Sequence, residues 1–475
     1  MMRATLTLLI AASLAATAAA DTFTVRTSRT DKETFEGHVY AQADDGTLAM
    51  MRRDGSLTIA PAGAVLEREP GDKPEPLTGG EMASKLEERF GAELTRTHVC
   101  DPFVVVLKLA APLEKDRRPF VKKFFKQVQT FLLQLNRNFG SWSKNMGLPA
   151  EDPEYPLVVV VFETDEDFEA YARETMAGGG LSAGNVTGFY SGGTNWLAVR
   201  LDECDNFQLP LHEGIHQQVY NRGWFKRLAP VPTWFNEGIA TGFENEGTKL
   251  RGDPRKVSAE YVARSARPMA VSFAEVIAED RTFRGDVLAG EAYTRAWALH
   301  WLVVNRRTKQ YAEYVRRLGE REPLQRATAD DRLEEFEETF DIDVADLQEM
   351  YVREVTKEAR RQNVRPPRRG PDGRSMKQDQ GGLVRVFVST DGRTIKSYGE
   401  LQNINPFRSL DFRVRVVPTG LPPIEWVVRD LGAKRTLRLD AKSMPAAAGT
   451  FRLGVESAVP GSDKAKAWGG DAMRR

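Results

Sequence analysis

The sequence predicts an α+β protein: a central domain with a mixed sheet, a pair of packed helices and a helical C-terminal part, flanked by a small N-terminal β-barrel and a C-terminal β-sandwich. Three observations carry this. Apolar and polar residues alternate over residues 22–68 and again over 384–458, the period of half-exposed strands. Between them lie short apolar runs and long stretches of apolar residues at helical spacing. Within that middle part, His212, His216 and Glu237 are metal-ligand types at spacings that suit two packed helices.

A chain of 475 residues is too long for one ordinary core. Lys plus Arg number 67 and Asp plus Glu number 67, so no net field draws the molecule to nucleic acid and no such partner is expected. Arg3, the apolar run Leu6 to Leu14 and the small residues Ala18-Ala19-Ala20 before Asp21 have the form of an export signal over residues 1–20. The mature chain is expected to begin at Asp21, in the periplasm or outside the cell. No later stretch offers the roughly 20 apolar residues of a membrane helix, so no transmembrane segment is expected. The two cysteines, Cys100 and Cys204, would form a disulfide in an oxidising compartment if their Cα atoms met, or stand as two small buried side chains.

In chain order, residues 21–68 carry short alternating segments joined by Asp44-Asp45-Gly46 and Asp54-Gly55 turns, and resemble an SH3-like module. Residues 69–79, with Pro70, Pro74 and Pro76, read as a linker. The central domain is expected over 80–357. It opens with a helix near Glu81 to Phe90 and a strand at Val104 to Leu109. Phe120, Phe124, Val128, Phe131 and Leu135 then mark a long helix. Leu157 to Phe162 is apolar throughout, as a strand buried on both faces would be, and Asp165 is placed to cap the next helix. After Gly178-Gly179-Gly180 comes a hairpin, Thr187 to Tyr190 and Trp196 to Leu201. Tyr293 to Val304, Tyr311 to Leu318 and Asp331 to Phe340 are the clearest later helices. A basic Pro/Gly linker is expected over 358–381, a β-sandwich over 382–460 and a flexible tail over 461–475.

The chemistry sits at His212-Glu213-Gly214-Ile215-His216, the H-E-x-x-H pattern, where Leu209, Leu211, Ile215 and Val219 suit a helix. Positions i and i+4 share a helix face, so both imidazoles can reach one ion while Glu213 sits beside it. The bland alternative is a pair of helix histidines satisfied by their neighbours. A catalytic zinc site needs a third protein ligand and an open position. Glu237, in Pro232-Thr233-Trp234-Phe235-Asn236-Glu237-Gly238-Ile239-Ala240, is the candidate, on a second helix after a turn set by Pro230 and Pro232.

His212-Glu213-x-x-His216 with Glu237 after it resembles the gluzincins, the clan of thermolysin and the membrane-type alanyl aminopeptidases. Trp234 to Ala240, with Glu244 beyond, is similar to the aminopeptidase third-ligand helix. The whole layout resembles the bacterial secreted proteins called peptidase MA-like. The resemblance spans about Leu157 to Val304 and implies a thermolysin-like zincin core. It also implies one Zn2+ per chain on His212, His216 and Glu237, with Glu213 as general base, and a peptide or protein as substrate. Zinc brings the acidity of water toward neutral pH, which suits Glu213 to proton transfer.

An oxyanion donor is expected downstream. Tyr293, in Ala292-Tyr293-Thr294-Arg295-Ala296-Trp297, resembles the gluzincin Tyr, although Arg295 and Ala296 depart from its Y-x-K-G pattern; the alternative is a Tyr on a packed helix. His300, two turns on, is read as a packing residue. No G-x-M-E-N stretch precedes His212, which favours endopeptidase over aminopeptidase action. The rival function is a catalytically inert zinc-binding protein. The flanking β domains would serve docking to a surface or a protein partner.

Overall fold

The computed structural model describes residues 20–113, 115–175, 186–244, 253–265, 269–283, 289–361, 363, 374–378, 381–390, 394–418, 422–445, 451–468 and 472–474. The expected export segment before Ala20, the glycine run Gly178-Gly179-Gly180 and residues 364–373 of the expected basic linker lie outside the described residues. The chain divides into two compact units, up to Pro76 and from Leu77 onward.

The first unit is one five-stranded sheet, ordered β4-β3-β2-β1-β5. Its strands are β1 (Thr22–Arg26), β2 (Lys32–Gln42), β3 (Leu48–Arg52), β4 (Leu57–Ala60) and β5 (Val65–Glu69). Gly46 and Gly55 take positive φ in the two expected turns. The expected barrel is not closed: β5 pairs with β1, while β4 pairs only with β3, so β4 and β5 are the two edges among the described residues. Phe23, Val25, Met50 and Ala60 make its small core.

The second unit is built on a mixed sheet of order β6-β7-β8-β10-β9. The strands are β6 (Thr95–Cys100), β7 (Phe103–Lys108), β8 (Leu157–Phe162), β9 (Gly188–Ser191) and β10 (Trp196–Arg200). β7, β8 and β10 run parallel, with antiparallel β6 and β9 at the edges. Val105, Leu107, Val159, Val161 and Val199 face one core with helix α2 (Arg118–Asn145). Val104, Val106, Val158, Val160 and Ala198 face another with α1 (Gly79–Phe90) and α3 (Asp165–Thr175). Burial on both faces is why β8 shows no alternation in sequence. Helix α1 starts at a Thr78–Glu81 capping box. At α3 the N-cap contact comes from Thr164, whose hydroxyl accepts from the Asp167 N–H, and not from Asp165.

The rest of the middle is helical: α4 (Gln208–Asn221), α5 (Thr233–Phe243), α6 (Ala259–Ser265), α7 (Phe273–Ala278), α8 (Ala289–Arg306), α9 (Thr308–Glu320), α10 (Ala329–Phe340) and α11 (Leu347–Arg361). No helix among the described residues is long and apolar enough to cross a membrane. Cys100 and Cys204 are both free thiols, so the disulfide does not form. Burial pushes the Cys100 pKa up to about 11, which leaves it an inert core residue.

The C-terminal part is a sandwich of two four-stranded sheets. One contains β11 (Arg374–Gln378), β12 (Gly382–Thr390), β13 (Thr394–Asn403) and β16 (Thr436–Pro445). The other contains β14 (Leu410–Pro418), β15 (Ile424–Leu431), β17 (Phe451–Ala458) and β18 (Ala472–Arg474). Val384, Val386 and Leu401 of the first meet Phe412, Val414 and Trp426 of the second in one core. Two expectations change here. β11 falls inside the expected linker, because its backbone pairs with β12. The expected tail carries the short helix α12 (Asp463–Lys466), buried Trp468 and the paired strand β18.

The sandwich also joins the core of the helical middle. Phe407, fully buried, packs edge-on against Phe124 of α2 with ring centroids 5.4 Å apart. Beside it Glu163, 5% exposed, accepts from the Arg408 guanidinium at 3.0 Å, the Asn405 amide at 2.7 Å and the Ala110 N–H at 2.9 Å. A buried carboxylate persists only with such a full set of donors.

Candidate metal centre

Helix α4 brings its two histidines to one face, with ring centroids 4.9 Å apart. The opposite face is fixed to the core. A Cβ on Gly214 would lie 2.5 Å from Leu135 Cδ2, so glycine lets α4 sit directly on α2. The buried Gln217 amide donates to the carbonyls of Val158 and Asn195 at 3.0 and 3.2 Å, tying α4 to the ends of β8 and β10.

Helix α5 follows the Pro230 to Pro232 turn, and its Thr233 N–H donates to Asp280 at 3.0 Å. Gly238 is its contact point with α8: a Cβ there would lie 2.7 Å from the Ala296 carbonyl oxygen and 2.8 Å from His300 Cβ. The glycine beside Glu237 therefore sets the depth at which the carboxylate reaches α4.

His212 Nε2, His216 Nε2 and Glu237 Oε2 converge, with separations of 3.2 Å between the nitrogens and of 3.1 and 3.5 Å from them to the oxygen. All three lie within 4.8 Å of one another and are candidate ligands of one metal ion. On its other side His212 Nδ1 faces Glu244 Oε1 at 2.8 Å, and Glu244 Oε2 accepts from the Tyr261 hydroxyl at 3.2 Å. With the imidazole proton on Nδ1, Nε2 turns a lone pair toward the lone pairs of Glu237. Two acceptors so close call for a cation. The carboxylates' demand for positive charge shows in the electrostatics: burial alone would lower the pKa of His212, but Glu237 and Glu244 raise it well above the ordinary range. Burial would raise that of Glu237, but His216 and His212 hold it far below the carboxylate range. Two imidazoles and a carboxylate are the donor set that suits zinc.

Glu213 borders the same cleft, and its Oε2 accepts from the Tyr190 N–H at 2.9 Å. Burial pushes its pKa up, which suits a carboxylate that exchanges protons. Tyr293 of α8 also lines the cleft, its ring centroid 6.3 Å from that of His212. The charge of Glu237 and burial raise the pKa of its hydroxyl, keeping it a donor. His300 stands apart from the cleft, fully buried, with Nε2 2.9 Å from the Tyr311 hydroxyl.

The cleft has a volume of about 860 Å³ and is walled on one side by edge strand β9. Phe189 pairs with Ala198 of β10, so alternate residues Gly188 and Tyr190 turn their backbone groups to the open edge. Glu203, Arg227 and Tyr261 also line the cleft. None stands in a pattern that marks it in sequence; Glu244 does, seven residues after Glu237.

The family described as "Protein of unknown function (DUF1570)" matches residues 210–325, from the first turn of α4 to just past α9. No curated protein matches the chain.

Proposed function

We propose that the protein is a zinc-dependent peptidase of thermolysin-like organisation, acting on peptide or protein substrates as an endopeptidase. The observation that carries this is the convergence of His212, His216 and Glu237 at the floor of an open cleft, with Glu213 on the same wall. His212, His216 and Glu237 would hold a zinc ion, which would supply Lewis acidity and bring the acidity of water toward neutral pH.

The remaining work falls to the chain. Glu213 takes the proton from the attacking water and returns it to the departing amine. The N–H of Tyr190 fixes the Glu213 carboxylate in place. Tyr293 offers its hydroxyl to the oxyanion of the tetrahedral intermediate. Glu244, held by Tyr261, orients the His212 ring. Along β9, Gly188 presents backbone groups with which an extended substrate can pair.

Against an inert zinc protein stands the count of candidate ligands among the described residues: three, where a purely structural site is closed by four. Export to the periplasm or beyond fits a peptidase that needs no membrane segment. The direct test is chelation. Cleavage of casein should stop in 1,10-phenanthroline and return on adding zinc; cleavage indifferent to the chelator would sink the proposal.

A further inference from the structure

Among the described residues, five carboxylates line the cleft: Glu203, Glu213, Glu237, Glu244 and Glu260. Four are committed. Glu213 accepts from Tyr190, Glu237 faces both histidines, Glu244 joins His212 to Tyr261, and Glu260 pairs with Arg264. Glu203 differs. The Thr187 hydroxyl reaches it, and it makes no ion pair among the described residues; Arg200, whose field it feels, is engaged by Asp165 and Glu169. Burial raises its pKa, the mark of a carboxylate whose lost hydration is not repaid.

We infer that Glu203 is a specificity subsite for a cationic nitrogen of the substrate. This rests on the peptidase reading and names the substrate class. Val186, Thr187 and Leu209 border the cleft with Glu203, a partly apolar wall along which the stem of a lysine or arginine can lie while its head meets the carboxylate. Thr187 stands three residues before Tyr190, whose N–H holds Glu213. Along an extended strand that is roughly 10 Å, so the cation binds two or three residues from the scissile bond. A basic side chain or the terminal amine of a short peptide can supply it.

The test uses the full chain carrying Glu213→Gln, which binds without turnover. Its affinity is measured for zinc-loaded protein with fluorescein-labelled, N-acetylated hexapeptide pools holding lysine, norleucine or glutamate at one fixed position. The lysine pool should bind about 10-fold tighter than norleucine. Adding Glu203→Gln should equalise the two, and Glu203→Lys should favour glutamate. A norleucine pool with a free amine, compared with its acetylated form, assigns the cation to the N-terminus if only the free form gains. Equal binding of all pools by the parent, or a preference that survives Glu203→Gln at unchanged melting temperature, overturns the inference. Because the readout is binding, absent casein cleavage by the natural chain would defeat the peptidase reading and leave this result standing.

Discussion

Nδ1 of His212 lies 2.8 Å from Oε1 of Glu244, and the other oxygen of that carboxylate accepts from Tyr261 on α6. The contact fixes which nitrogen of His212 carries a proton and turns Nε2, with its lone pair, to the point where His216 and Glu237 also converge. Glu244→Ala should therefore weaken zinc affinity by about 10–100-fold, and Tyr261→Phe by less. Competition with a chromogenic chelator measures both; an unchanged affinity in Glu244→Ala would mean the contact plays no part in metal binding.

Tyr293→Phe removes one hydroxyl from the cleft and leaves the three ligand side chains untouched. Zinc content should be unchanged and kcat should fall by about 100-fold or more, with little effect on KM. A variant with full kcat would make Tyr293 a packing residue, in the edge-on contact it makes with Phe283.

Gly238 stands between α5 and α8 with no room for a methyl group. Gly238→Ala should lower stability by about 1–3 kcal/mol and displace Glu237, reducing zinc affinity together with the melting temperature. Calorimetry on zinc-free and zinc-loaded protein separates the two effects.

How much of this was legible in the sequence depends on how local the determinant is. The candidate triad was, because a helix fixes the geometry of positions i and i+4 and Glu237 lay in a stretch that reads as a second helix. The continuous apolar run of β8 announced a doubly buried strand for the same reason. The role of Asn405-Pro406-Phe407-Arg408 was not: a loop that buries a phenylalanine and an arginine depends on Phe124 and Glu163, more than two hundred residues earlier. The N-terminal barrel failed to close because closure depends on which edge strands meet, and alternation says nothing of that. Glu203 and Tyr261 reach the cleft from elements whose patterns only tertiary packing explains.

The sandwich is accordingly part of the core that carries the candidate site. Arg408→Ala strips the buried Glu163 of its cation and should cost about 3–5 kcal/mol. Truncation after Lys357 should likewise yield unstable or insoluble protein in place of an active core. A truncated chain with the full melting temperature would contradict this.

His300 supplies a pH dependence. Burial lowers its pKa from 6.5 to about 3, so between those values the unfolded chain binds the proton and the folded one does not. Stability is complete above about pH 6.5 and is lost as pH falls toward 3, by on the order of 3 kcal/mol at pH 4. Metal-free His300→Gln should lose less of its melting temperature between pH 8 and pH 4.5 than the natural chain does.

The central claim is that His212, His216 and Glu237 hold one zinc ion which Glu213 turns to peptide hydrolysis. Elemental analysis and casein cleavage on the natural chain, Glu237→Ala and Glu213→Gln test it together. The account predicts about one zinc per chain in the natural protein and in Glu213→Gln, much less in Glu237→Ala, and cleavage only in the natural protein. Full zinc content in Glu237→Ala, or undiminished cleavage by Glu213→Gln, would contradict it.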